Sequence, residues 1–319
     1  MSMRRAFAGR ATAVGALMCA LVGPGPRGSQ AVSLDTAALD RALDRRGQVV
    51  GDVYRIAVPR ADLTLTIDGV TLRPGLALGG WIAFRATDGH AVVHGDLVLR
   101  ESEVNGVIST LQRGDLDITA LHNHLLRESP SVMYLHFWGR GSALALARTL
   151  RSALEQTGTP PGGPASGPDT DVPDWARSVR DALGRGGSVR GGVLSVSVPR
   201  PERITMMGTV LPPAMGMATA LNFQDAGARG VAATGDFVLL GAEVNPVARA
   251  LRAGGVEITA LHNHMIQGSP ELYFMHFWVV GPPEDVARTL AAGLAATAAA
   301  QPGPVLHTPA APAQLSHSS

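Results

Sequence analysis

The stretch ITALHNHLLRESPSVMYLHFW, Ile118–Trp138, returns later in the chain as ITALHNHMIQGSPELYFMHFW, Ile258–Trp278. Each copy carries two histidines one residue apart and a third further on: His122, His124 and His136, then His262, His264 and His276. Working outward, residue n matches residue n + 140 over most of the chain. Val58-Pro59-Arg60 meets Val198-Pro199-Arg200, Gly95-Asp96 meets Gly235-Asp236, and Glu103-Val104-Asn105 meets Glu243-Val244-Asn245. Ala147-Arg148-Thr149-Leu150 meets Ala287-Arg288-Thr289-Leu290. Self-similarity at a fixed offset marks a tandem duplication of one domain.

Within the first copy, Asp35 is placed to cap a short helix reaching Arg46. DVYRIAVP, LTLTIDG, GWIAFRA and AVVHGDLVL alternate as strands, and Glu103–Arg113 is amphipathic at helical spacing, with Gly114 suited to stop it. LDITALHNHL and VMYLHFWG follow as strands, and an Ala/Leu-rich helix closes the copy. The fold class expected is α+β: two tandem copies of one domain, each a mainly antiparallel sheet with helices packed on one face. The boundaries expected are copy one over 35–154, a Pro/Gly-rich linker over 155–172, copy two over 173–298 and a disordered tail over 299–319.

On a strand, side chains two apart share a face about 7 Å apart at the Cα. His122 and His124 could therefore converge on one ion, with metal–nitrogen bonds near 2.0–2.1 Å for zinc. If the two strands form a hairpin turning at Pro130, His136 lies opposite His124 and supplies a third nitrogen. Glu103, with Glu243 in the second copy, is a candidate fourth ligand or general base, and Asp96 is another. Set against this, a histidine in an aromatic strand is often simply packed, an acidic residue in a first helical turn is favoured by the dipole, and Asp96 and Asp236 could be turn residues. Three functions follow: binding of a divalent metal such as zinc or of a small ligand, metal-dependent hydrolysis, or a structural role in which the histidines are core and the copies pack as an intramolecular pseudo-dimer.

The 319 residues are 45% hydrophobic and 17% charged, with 27 basic and 26 acidic residues and a net charge of +1. Every basic residue is Arg. That balance offers no basic face for nucleic acid. Cys19 is the only cysteine, so a metal would need nitrogen and oxygen ligands. No glycine-rich phosphate loop or Gly-x-Ser-x-Gly elbow occurs, and the adjacent His-Asn-His does not fit a ββα nuclease unit.

Arg4 and Arg5 followed by the apolar run Ala11–Gly23 read as an export signal over residues 1–31, cleaved after Ala31. Arg4-Arg5-Ala6-Phe7 also has the look of a twin-arginine core. Met18 is too large for a lipobox, which argues against a lipid anchor at Cys19, and no later segment has the length of a membrane-spanning helix. The location expected is periplasmic or extracellular, with a cell-envelope partner or a small ligand.

GDLVLRESEVN (Gly95–Asn105) with ITALHNHLL, YLHFWG and an Ala-rich closing helix resembles the LppY/LpqO-like family, a bacterial exported domain of unknown function. The resemblance covers both copies, about Asp35–Thr297. It implies an exported protein and brings no established activity. Copy two departs from the pattern, with Val279-Val280-Gly281 and then Pro282-Pro283 where copy one has Gly139-Arg140-Gly141.

Overall fold

Asp35 Oδ1 accepts from Ala38 N (2.9 Å) and starts helix α1 (Thr36–Leu43), whose Leu39 and Leu43 are fully buried. Asp44, in the left-handed region at φ 52°, ends that helix before Arg46. The computed structural model describes residues 33–162 and 167–298; the expected signal segment, Cys19 and the tail lie outside them. Copy one continues through β1 (Gln48–Val50), β2 (Val53–Pro59), β3 (Thr66–Ile67), β4 (Val70–Thr71), α2 (Pro74–Ala77), β5 (Gly79–Thr87), β6 (His90–Arg100), α3 (Glu101–Arg113), β7 (Asp117–His122), β8 (Val132–Gly141) and α4 (Ala143–Leu154). Copy two repeats this with α5 (Asp174–Leu183), β9 (Ser188–Arg190), β10 (Val193–Pro199), β11 (Thr205–Met206), β12 (Thr209–Val210), β13 (Ala218–Asp225), β14 (Val231–Leu240), α6 (Gly241–Ala253), β15 (Glu257–His262), β16 (Gly268–Ser269), β17 (Leu272–Gly281) and α7 (Pro283–Ala295).

Each copy is a six-stranded antiparallel sheet, in the order β1-β2-β5-β6-β8-β7 and its equivalent β9-β10-β13-β14-β17-β15. Alternation along the strands then sorts the side chains. Ile82, Phe84, Val93, Leu97, Leu135 and Phe137 face α1, α3 and α4 and form one core with Leu111 and Leu150. Residues of opposite parity, such as Trp81, His94, Asp96, Tyr134, His136 and Trp138, turn to the other face. They are buried too, so that face is also covered. Its cover is the other copy.

The cover is reciprocal. Trp138 packs with Ile204, Met206 and Met215 of copy two, while Trp278 packs with Leu65, Ile67 and Leu76 of copy one. Trp278 Nε1 also donates to Asp68 Oδ2 (3.1 Å), and Gln224 bridges the copies by accepting from Arg73 N (2.8 Å) and donating to the Thr71 carbonyl (2.9 Å). Burying a large apolar side chain stabilises by about 1.5–3 kcal/mol, so two tryptophans and their partners make a substantial joint. The expected strand LTLTIDG is a correction: only Thr66–Ile67 pairs, with Val70–Thr71, outside the main sheet. Its apolar alternation is real, but it answers the neighbouring copy's surface instead of a sheet edge.

The linker region is tied at both ends. Gly158 N donates to Glu103 Oε1 (3.1 Å), and Asp169 accepts from Gly191 N (3.1 Å) and Gly192 N (3.0 Å).

Candidate metal centre

Three neighbouring strands bring Asp96 on β6, His136 on β8 and Ala120 on β7 into register. His136 therefore lies opposite Ala120 and not His124, which corrects the hairpin expectation. The register slips between Ile118 and Ala120, and β7 ends at His122, which pairs with Tyr134. Beyond the strand end the chain turns, and His124 stacks on the Tyr134 ring, 3.3 Å between centroids. In copy two His264 stacks on Phe274 at 3.6 Å.

The two motifs meet ring against ring across the joint. His122 faces His262 at 3.6 Å between centroids, His124 faces His276 at 3.8 Å, and His136 faces His264 at 3.7 Å. The first pair joins equivalent residues, and the other two exchange roles, as an isologous two-fold interface requires. One cluster thus replaces the two separate triads that the repeat suggested. Within it His122, His262, His264 and His276 each offer a ring nitrogen, all within 4.8 Å of one another. Four ligands at 2.0–2.1 Å in a tetrahedron stand roughly 3.4 Å apart. Holding one ion would require the rings to rotate and close that gap.

The tautomers suit ligation. His122 Nδ1 lies 3.1 Å from the Asn123 carbonyl and His276 Nδ1 lies 3.0 Å from the Gly235 carbonyl. A carbonyl only accepts, so both Nδ1 atoms carry the proton and each Nε2 presents a lone pair. In all six histidines of the motifs Nε2 is buried without a hydrogen-bond partner. Leaving a buried polar atom unpaired costs about 1–3 kcal/mol, a cost that a ligand to these nitrogens would relieve.

Burial, reinforced by repulsion among the rings, holds these imidazoles neutral. His122 is pulled down to about 3 and His262 to about 4 by burial, and His124, His136, His264 and His276 lie well below the ordinary histidine value. Asp96 Oδ1 stands 3.8 Å from His136 Nε2, and burial followed by the Asp236 charge pushes its carboxyl well above the usual range. Burial raises Asp236 to about 7.

The two glutamates lie in a different arrangement. Arg60, fully buried at the end of β2, donates to Glu103 Oε2 (2.6 Å), to both Asp62 oxygens and to the Val98 carbonyl (2.9 Å). Arg200 repeats this with Glu243 (2.7 Å), Glu202 and the Val238 carbonyl (2.7 Å). Glu103 Oε2 also accepts from Arg100 N (2.9 Å) and Glu243 Oε2 from Leu240 N (2.7 Å), capping α3 and α6. Each glutamate therefore ties a strand end to a helix start. The Val-Pro-Arg repeat was the available signal for these clamps.

One further member was missed. His94 on β6 packs edge-on against Trp81 (5.3 Å between centroids) and lies 6.1 Å from His136. Its Nδ1 donates to the Met215 carbonyl of copy two (3.0 Å), its Nε2 is unpartnered, and burial lowers it to about 4. Copy two has Thr234 at this position, so comparing the motifs alone hid it.

A family profile described as Domain of Unknown Function (DUF1259) matches residues 37–156 and again 177–296. The chain belongs to this family. The two DUF1259 matches are offset by 140 residues, the period of the repeat, and each takes in one complete histidine motif. Comparison with curated proteins found no match. Among solved structures, the trimeric bacterial microcompartment shell protein PduB aligns over 78% of this chain and 88% of its own at 12% identity, with a TM-score of 0.20. Among the described residues no helix is long and apolar enough to cross a membrane.

Proposed function

We propose that this DUF1259 protein binds one divalent transition-metal ion at the joint between its copies. The observation that carries the reading is the group of four histidine nitrogens within 4.8 Å, drawn from both copies and buried without partners. Imidazoles without thiolates suit zinc, copper or nickel. Following the Arg4-Arg5 leader and the resemblance to LppY/LpqO-like proteins, we place the protein outside the cytoplasm, cleaved after Ala31.

Metal analysis of the purified mature chain tests it. About one equivalent per chain is expected, with a melting temperature that falls on chelation, and no such response in His262→Ala plus His264→Ala. The exposed His90→Ala serves as the control. Metal-free protein whose melting is indifferent to added zinc, copper and nickel would leave the histidines as core and return the protein to the structural reading.

Hydrolysis is the second reading, and the Asp96 carboxyl favours it: it lies 3.8 Å from His136, the ring stacked on the candidate ligand His264, and burial raises its affinity for a proton that it could pass. Chelator-sensitive cleavage of simple esters that is lost in Asp96→Asn would support it.

A further inference from the structure

A cavity of about 230 Å³ opens at the surface of copy one, lined among others by Arg46, Arg55, Gly75, Gly79, Gly80 and Trp81. Arg55 is half-buried, with its guanidinium carbon 4.2 Å from the centroid of the Trp81 ring and Nη1 donating to the Ala214 carbonyl of copy two (2.6 Å). Among the described residues it closes no ion pair, although the buried Asp96 carboxyl acts on it electrostatically, whereas Arg60 and Arg200 each hold two carboxylates. The ring contact and the bond to the Ala214 carbonyl hold the guanidinium in place and leave its other N–H groups for a planar or tetrahedral oxyanion, which arginine can recognise bidentately. Burial lowers Arg55 to about 10, so it is still a cation at neutral pH.

The duplication supplies an internal contrast. At the positions of Arg46, Arg55, Gly75 and Trp81, copy two has Gly186, Ser195, Ala214 and Ala220, the last two read from the strand register. Both guanidiniums and the ring they frame are therefore confined to copy one. Glycine also keeps the space open there: a Cβ on Gly79 would find its nearest neighbour, the Pro74 carbonyl, at 3.9 Å, so any side chain at that position has room to grow. A volume of 230 Å³ lies below the range for drug-sized ligands and suits a small anion.

We propose that this cavity is a binding site for a small oxyanion, a carboxylate or a phosphate group, clamped by Arg55 and Arg46. The site stands apart from the metal reading and is tested apart from it.

Calorimetric titration of the full mature chain with sodium phosphate and with sodium acetate, at constant ionic strength and before and after chelator dialysis, makes the test. Saturable binding of at least one of the two anions is expected, unchanged by chelation, and the tighter of the two names the ligand group. Arg55→Met should weaken it at least about tenfold. Gly79→Thr, which puts a branched side chain into the cavity and leaves both arginines alone, should weaken it comparably while the melting temperature holds. No saturable binding of either anion, equal affinity in both variants, or binding that disappears with the metal would each overturn the proposal.

Discussion

At the residue scale the histidines set how the protein answers to pH. In the unfolded chain an imidazole gains a proton near pH 6.5, whereas in the folded protein His122 waits until about 3 and His262 until about 4. Between those limits the unfolded state binds more protons, so acid favours unfolding. Asp96, Asp236 and Glu128 act in the opposite sense, since the folded carboxyls keep protons that the unfolded ones release, but three carboxyls face seven histidines, His94 included. We expect chelator-treated protein to lose stability steadily from pH 7 to pH 5 in urea melts, by about 1.4 kcal/mol per pH unit for each histidine that responds fully. A flat profile would mean that these rings are not held neutral. The glutamates yield a second prediction. Glu103→Gln weakens the Arg60 clamp and the α3 cap, so it should cost about 2–3 kcal/mol while metal content stays at the wild-type level. Loss of metal from that variant would return Glu103 to the ligand set.

At the element scale, the sheet's register depends on close approach as much as on hydrogen bonds. A Cβ on Gly95, the neighbour of Asp96 on β6, would lie 2.3 Å from the Phe137 ring of β8 and 2.6 Å from the Trp81 carbonyl of β5. Gly95→Ala must push β6 away from its neighbours, and a destabilisation of about 1–3 kcal/mol is expected in denaturant melts, with weaker metal retention because His136 moves too. The strands themselves were readable because β-branched and aromatic residues alternate. The strand end at His122 was not. HNH continues an alternating pattern on paper, yet the slip between Ile118 and Ala120 and the turn after His122 send His124 onto Tyr134. Local spacing cannot report where a strand loses its partner.

For the whole molecule, the unit of function is the pair of copies. A single copy would expose Trp138, Tyr134 and the histidine face to water, and would present only one side of the ring pairs. Residues 33–162 expressed alone should therefore self-associate, reforming the face with a second copy of itself, and size-exclusion with light scattering reads the outcome. A stable monomer binding metal as tightly as the full chain would show that one copy suffices. The two faces of the sheet also explain what the composition concealed. YLHFW reads as a run of large residues without polar relief, and such a strand is buried on both sides. Helices could account for one side only.

The sequence by itself determined the duplication, the antiparallel α+β copy, most of its elements and the six histidines worth examining, because periodicity and repetition are written in neighbouring residues. Tertiary structure alone decided that the two motifs form one cluster, that Glu103 and Glu243 serve Arg60 and Arg200, that His94 stands beside the cluster and that Arg55 lies over Trp81, both without equivalents in copy two. Those outcomes depend on which face of one copy meets which face of the other. A free energy of docking summed over distant side chains sets that meeting, and no local spacing encodes it.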